Sequence, residues 1–202
     1  MPVFFQHQIN DHTRLGVWKI EETEAFFKDN VPLHREVTHP HKRLQHLAGR
    51  FLLRYLFPDF PYELIQIAET RKPYLPGEEY HFSISHSGDY AAAIVSRNNR
   101  VGIDAELVRE QVGRLIPKFL SDNEKEHLYR GSILEQSTLY WTAKESVFKW
   151  YGLGGVDFRE DILLERELEG MQVIPCFFTK TGIDLDIHYR RFDQLYLAWI
   201  VS

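Results

Sequence analysis

The sequence predicts an α+β protein built from two similar halves, and three observations lead there. Segments of helical period interleave with strand-sized apolar runs along the chain. A seven-residue word recurs, Tyr90-Ala91-Ala92-Ala93-Ile94-Val95-Ser96 against Tyr196-Leu197-Ala198-Trp199-Ile200-Val201-Ser202, agreeing at five of seven positions 106 residues apart. A helix-like segment precedes each copy, Ala48 to Tyr55 in one half and Ala143 to Trp150 in the other. Short strand words also recur by chance, but jointly these features suggest two lobes, residues 1–98 and 99–202, with a ligand cleft expected between them. With 202 residues, 44% of them hydrophobic, the chain can bury a real core, which excludes a disordered or fibrous protein.

Taken in order, a short helix is expected over Glu21 to Lys28, stopped before Pro32. A longer one is expected from about His41 to Phe57, where Leu44, Leu47, Ala48, Phe51 and Tyr55 fall at helical spacing and Pro58 closes it. The turn-rich Arg71-Lys72-Pro73-Tyr74-Leu75-Pro76-Gly77 leads into strands at His81 to His86, Asp89 to Ser96 and Val101 to Glu106. Asn98-Asn99 suggests a hairpin turn between the last two. Ser121-Asp122-Asn123-Glu124 is a capping-box pattern opening a helix toward Tyr129, and Ser132-Ile133-Leu134-Glu135 is a second candidate. A further helix is expected from Ser137 to Tyr151, ending at Gly152. Strands should fill the remainder, clearest at Ile187 to Tyr189 and Tyr196 to Val201.

Charge and composition narrow the function. The formal net charge of −5 argues against a general nucleic-acid binder, and residues 1–100 are balanced whereas 101–202 carry 12 basic and 17 acidic side chains. Within the neutral half, His34 to Arg54 collects Arg35, Lys42, Arg43, Arg50 and Arg54 against Glu36, a local anion-attracting patch or a solvated helix face. The single Cys176 can make no internal disulfide, and neither a signal-peptide pattern nor an apolar run of ~20 residues is present, so a cytoplasmic, non-membrane protein is expected. Cys176 and the His39, His41, His46 group lack zinc-site spacing, and the Gly-x-Ser-x-Gly of a serine hydrolase is absent.

Three segments could carry chemistry. In Val101-Gly102-Ile103-Asp104-Ala105-Glu106, a strand would project Asp104 and Glu106 from one face, a pair of hard oxygen ligands suited to Mg²⁺ or simply a polar outer face. In Trp141-Thr142-Ala143-Lys144-Glu145-Ser146-Val147-Phe148-Lys149, a helix would stack Glu145 on Lys149, as a carboxylate with a phosphate-seeking ammonium or as a routine surface pair. In Phe82-Ser83-Ile84-Ser85-His86-Ser87-Gly88, hydroxyls, an imidazole and glycine N–H groups at a strand end could surround a phosphate.

In this order and at these separations, the three segments resemble the signature of the 4′-phosphopantetheinyl transferases, and the length resembles their two-lobed, surfactin-synthetase-activating type. Arg71-Lys72-Pro73 looks like the family's Gly-Lys-Pro segment, with Arg71 where Gly often stands. Phe119, Ser121 and Glu124 look like its Phe-Ser…Glu segment, and Ala48-Gly49-Arg50 with Leu53-Arg54 like its first-lobe helix. The resemblance implies transfer of the phosphopantetheine arm of coenzyme A to a serine of an apo acyl or peptidyl carrier protein, with release of 3′,5′-ADP. It further implies Mg²⁺ held by Asp104, Glu106 and Glu145, with Glu145 as base for the serine proton, directly or through a metal-bound water, and Asp104 and Lys149 also in the catalytic set. Lys144 and Lys149 would meet the phosphates, Ser85 and His86 would contact the coenzyme A phosphates, Lys72 and Pro73 the nucleotide end, and Arg43 and Arg50 the same co-substrate. One chain holding both lobes implies a monomer. A metal-dependent phosphodiesterase or nuclease, and a non-catalytic carrier-protein or coenzyme A binding module, are the competing readings.

Overall fold

The computed structural model describes residues 3–31, 37–77, 79–129, 132–168 and 170–202. Two compact units divide the chain, Met1–Val101 and Gly102–Ser202. Each is an antiparallel sheet with one long helix laid across it.

The first unit begins with a hairpin the sequence reading did not resolve, β1 (Val3–Asn10) and β2 (Thr13–Lys19), followed by the short α1 (Glu24–Lys28). α2 (Pro40–Leu56) starts with proline in its first turn, where a missing N–H costs nothing, and His39 accepts a bond from Lys42 N–H. After the two-residue strands β3 (Gln66–Ile67) and β4 (Pro73–Tyr74) come β5 (His81–Ser87) and β6 (Tyr90–Ser96), and the sheet order is β1-β2-β6-β5. α2 buries Leu47, Ala48, Leu52, Leu53 and Leu56 in a core shared with Trp18, Phe27, Phe82, Ala91, Ala93 and Val95. Gly49 permits this close seating, since a Cβ there would lie 2.6 Å from Ile84 Cγ2.

In the second unit β7 (Val101–Leu107) is followed by α3 (Glu110–Phe119), α4 (Asp122–Glu126), α5 (Ile133–Tyr151), β8 (Ile162–Leu164), β9 (Val173–Phe178), β10 (Ile183–Phe192) and β11 (Leu195–Val201). Their sheet runs β7-β11-β10-β9-β8. The capping box at Ser121 and Glu124 is formed in full. The helix expected from Ser137 starts a turn earlier, because Ser132 accepts from Glu135 N–H and so serves as the cap of α5 itself; Gly152 closes that helix at φ 70°. Ala143, Val147 and Trp150 of α5 face a core with Phe119, Ile162, Ile174, Phe178, Ile187, Ala198 and Ile200.

One expectation is corrected. Asn98-Asn99 is not a hairpin turn, because β6 and β7 belong to different sheets; β6 pairs instead with β2 and β5, and the N–H groups of Asn98 and Asn99 donate to Ser96 Oγ. The recurrent seven-residue word maps onto β6 and β11, each an interior strand of its sheet. No helix among the described residues is long and apolar enough to cross a membrane.

Candidate active site

The acidic cluster is assembled where β7 meets the last turns of α5. Gly102 sets the approach: a Cβ there would collide with the carbonyl oxygen of Ser146 and lie 2.7 Å from Trp150 N, so only glycine lets this strand touch the helix backbone. Two residues on, Asp104 is 2% exposed and its Oδ1 accepts from Lys149 Nζ at 2.6 Å. Glu106, two further along the same strand, is half-buried, as is Glu145, one helical turn before Lys149. Burial pushes the Glu145 carboxyl up to about 7, and the negative charges of Asp104 and Glu106 add to the rise while Lys149 opposes it. Asp104, Glu106, Glu145 and Lys149 are therefore brought into one electrostatic neighbourhood.

Three carboxylates against one ammonium leave an excess of negative charge in a poorly solvated place, and hard oxygen donors of this kind suit Mg²⁺. The chemistry and charge of the donor set fit a divalent cation. Its arrangement is not that of a finished cage: among the described residues no group of three or more His, Cys, Asp or Glu is placed to hold a metal ion.

Lys144 requires a correction. Although adjacent to Glu145, it is fully buried, with Nζ bonded to Glu124 and to the carbonyl oxygens of Phe158 and Ile162, each at 2.7–2.8 Å. An ammonium has three protons to donate, and these contacts use them, so Lys144 does not reach a phosphate. Glu124 is the hub missed by the sequence reading. It is 1% exposed and also accepts from Ser121 N–H and Leu164 N–H, tying α4, α5 and β8 together. The signal was present: Lys144 follows Tyr140 by four residues and precedes Val147 by three, on the buried stripe of α5.

Of the residues assigned to coenzyme A, Lys144 and Lys149 lie in the second unit and Lys72, Pro73, Ser85, His86, Arg43 and Arg50 in the first. Lys72 and Pro73 sit at the β3–β4 hairpin, where Arg71 adopts φ 66°, the left-handed region that glycine occupies without strain. That conformation is the physical reason a glycine suits the position. Burial lowers the Lys72 ammonium to about 8, assisted by the Arg100 charge. Ser85 is buried and His86 exposed, since neighbours on a strand face opposite sides, so β5 does not turn these two toward one ligand as expected. The following turn is anchored to α2, whose Gln45 Nε2 donates to Gly88 O at 2.7 Å, with His41 Nε2 3.1 Å from the same oxygen.

Both arginine assignments are corrected. Arg43 donates through Nε and Nη2 to Glu24 at 2.8 Å each and through Nη1 to the carbonyls of Val37 and Thr38, so its fork already holds α1 and the chain before α2. Arg50 is 4% exposed with its guanidinium 5.8 Å from the Tyr62 ring centroid, buried in the unit rather than offered at a surface. Arg50 is thus internal and Arg43 is engaged by Glu24; Lys42 and Arg54 remain exposed, and His34, Arg35 and Glu36 lie outside the described residues.

The acids of β7 and α5 with one lysine form the candidate site, and this part of the chain also matches known proteins. Residues 100–198 match the family model of the 4′-phosphopantetheinyl transferase superfamily. Among curated proteins the chain is similar to enterobactin synthase component D of Escherichia coli strain K12, 37% identical over 113 residues, 54% of each chain. It is also similar to the 4′-phosphopantetheinyl transferase AcpT of Escherichia coli strain K12, 28% identical over 116 residues, 55% of this chain and 59% of that one. An L-aminoadipate-semialdehyde dehydrogenase-phosphopantetheinyl transferase of Xenopus laevis is 28% identical over 130 residues, covering 54% and 43%. The chain spans about half the length of the curated relatives it matches.

Proposed function

We propose that the protein transfers the 4′-phosphopantetheine arm of coenzyme A to a serine hydroxyl of an apo acyl or peptidyl carrier protein, releasing 3′,5′-ADP. The observation that carries this reading is the grouping of Glu145, Asp104, Glu106 and Lys149 within the half of the chain that matches the transferase superfamily. Membership of the two-lobed, surfactin-synthetase-activating type, with the nucleotide taken by the first unit, is part of the same proposal.

In this mechanism Asp104, Glu106 and Glu145 would hold Mg²⁺. When bound, the ion neutralises pyrophosphate charge and the charge that grows on the departing oxygen. Glu145 takes the serine proton as the serine oxygen bonds to the phosphorus bearing the pantetheine arm. The bond from that phosphorus to the bridging oxygen breaks, and both bonding electrons leave with 3′,5′-ADP. Burial and the neighbouring acids raise the Glu145 carboxyl in the metal-free protein, a direction that favours its accepting a proton. Lys149 presents its ammonium to the phosphate oxygens as a compact point charge. Lys72 supports the nucleotide end from the first unit, with His86 as the exposed polar group of β5.

The reading is tested by incubating purified protein with coenzyme A, Mg²⁺ and apo carrier proteins, then recording which gain the mass of the arm. Wild type is expected to label at least one. Glu145→Ala should lower the rate by at least about a hundredfold, the lower range for a general base, while keeping the circular-dichroism spectrum; unchanged turnover removes Glu145 from the mechanism. EDTA should stop the reaction and added Mg²⁺ restore it.

A further inference from the structure

The Lys149–Asp104 contact bears on how a cation would enter, and the inference rests on the transferase reading above. Asp104 is almost wholly withdrawn from water, so its charge must be balanced within the fold, and the Lys149 ammonium at 2.6 Å balances it. The two ends of this pair differ, since the Asp104 side chain is 3% exposed and that of Lys149 is 26% exposed. The carboxylate is fixed on β7 while the ammonium sits on a flexible four-carbon stem with a flank to solvent. Asp104, Glu106 and Glu145 share a neighbourhood but not a metal-holding arrangement among the described residues.

We propose that Lys149 is the resident counter-ion of the acidic cluster: it occupies Asp104 in the free protein, yields that oxygen to an incoming divalent cation, and then turns its ammonium to the phosphates of the substrate. The exchange is favourable in charge. With all three acids ionised, three carboxylates and one ammonium carry a net −2, whereas the same carboxylates around a doubly charged ion carry −1, with Lys149 freed for the next anion. Lysine suits the task better than arginine would, because a single rotatable point charge can leave a carboxylate without breaking a planar two-bond fork. Lys149 thereby links cation entry to phosphate capture through one side chain.

The test measures cation binding by the full chain without coenzyme A, following the free Mn²⁺ spectrum by electron paramagnetic resonance. Lys149→Met removes the competitor and keeps the stem, so it should bind Mn²⁺ roughly tenfold more tightly than wild type, a difference of about 1.4 kcal/mol. Equal or weaker binding in Lys149→Met, or binding by neither protein, overturns the proposal. Loss of a positive field alone could also tighten binding, so a second measurement follows the lysine side-chain ammonium signals of ¹⁵N-labelled wild type by NMR. The Lys149 signal, assigned through Lys149→Arg, should shift as Mg²⁺ fills the site. A Lys149 signal that stays fixed while Mg²⁺ binds overturns displacement, whether or not the methionine variant folds. Failure of the transferase reading shows separately, as no mass gained by any apo carrier protein with wild type, coenzyme A and Mg²⁺.

Discussion

Lys72 illustrates how a single side chain can be held against its own solvation. Its ammonium is lowered to about 8 from an ordinary 10.5, first by burial and then by the charge of Arg100. Because the folded state gives up this proton more readily than the unfolded chain, the unfolded chain binds more protons between those two values, and stability from this group rises with pH across that window. Below about pH 8 the charged lysine costs stability. Lys72→Met is therefore expected to be more stable than wild type near neutrality and to lose the rise in the alkaline window, as read by urea midpoints across the pH range. A fold that keeps such a cation gains something by it, and anion binding at the nucleotide end is the gain proposed here. Glu145 is the complementary case, an acid held against ionisation by burial and by two like charges.

At the scale of elements, the site depends on how β7 and α4 are fastened to α5. Gly102 allows the strand to lie on the helix backbone at Ser146 and Trp150, so Gly102→Ala must push the two apart or strain both. A loss of about 1–3 kcal/mol is expected from such overpacking, measured by chemical denaturation, together with a fall in transfer activity because Asp104 and Glu145 separate. The Lys144–Glu124 pair fastens the other flank, with side chains 0% and 2% exposed. Lys144→Met leaves Glu124 buried and uncompensated, which costs about 3–5 kcal/mol. A drop of that size in the denaturation free energy checks it, and a surface lysine would show almost none. The elements themselves differ in how openly their residues announce them. α2 and α5 carry proline, capping serine and terminal glycine at the right places, so local chemistry fixes both ends within a turn. β1 and β2 lack such punctuation, and α3 carries Pro117 inside it, a residue that ordinarily argues against a helix.

For the molecule as a whole, anything that binds only the folded form raises its stability by mass action. Mg²⁺ added in millimolar excess is expected to raise the thermal midpoint of wild type and to leave Asp104→Asn unmoved, as scanning calorimetry would show. The alternation of periods along the chain made the α+β class legible, and the spacing of Asp104, Glu106, Glu145 and Lys149 marked the acidic cluster. Sequence could not show which charges had already been spent inside the protein. Arg43 and Arg50 read as an anion-attracting surface because a one-dimensional pattern does not record Glu24 arriving from α1 or Tyr62 closing over a guanidinium. Asn98-Asn99 read as a hairpin because strand pairing is non-local. The resemblance places Lys144 on a phosphate beside Glu145, yet consecutive helical residues point about 100° apart, and Lys144 points into the core while Glu145 is only half-buried. An alanine scan of this helix scored by product formation alone would therefore report two neighbouring knockouts as equivalent. On the proposed mechanism one would have lost a participant in the reaction and the other its scaffold, and only a parallel readout of foldedness would tell them apart.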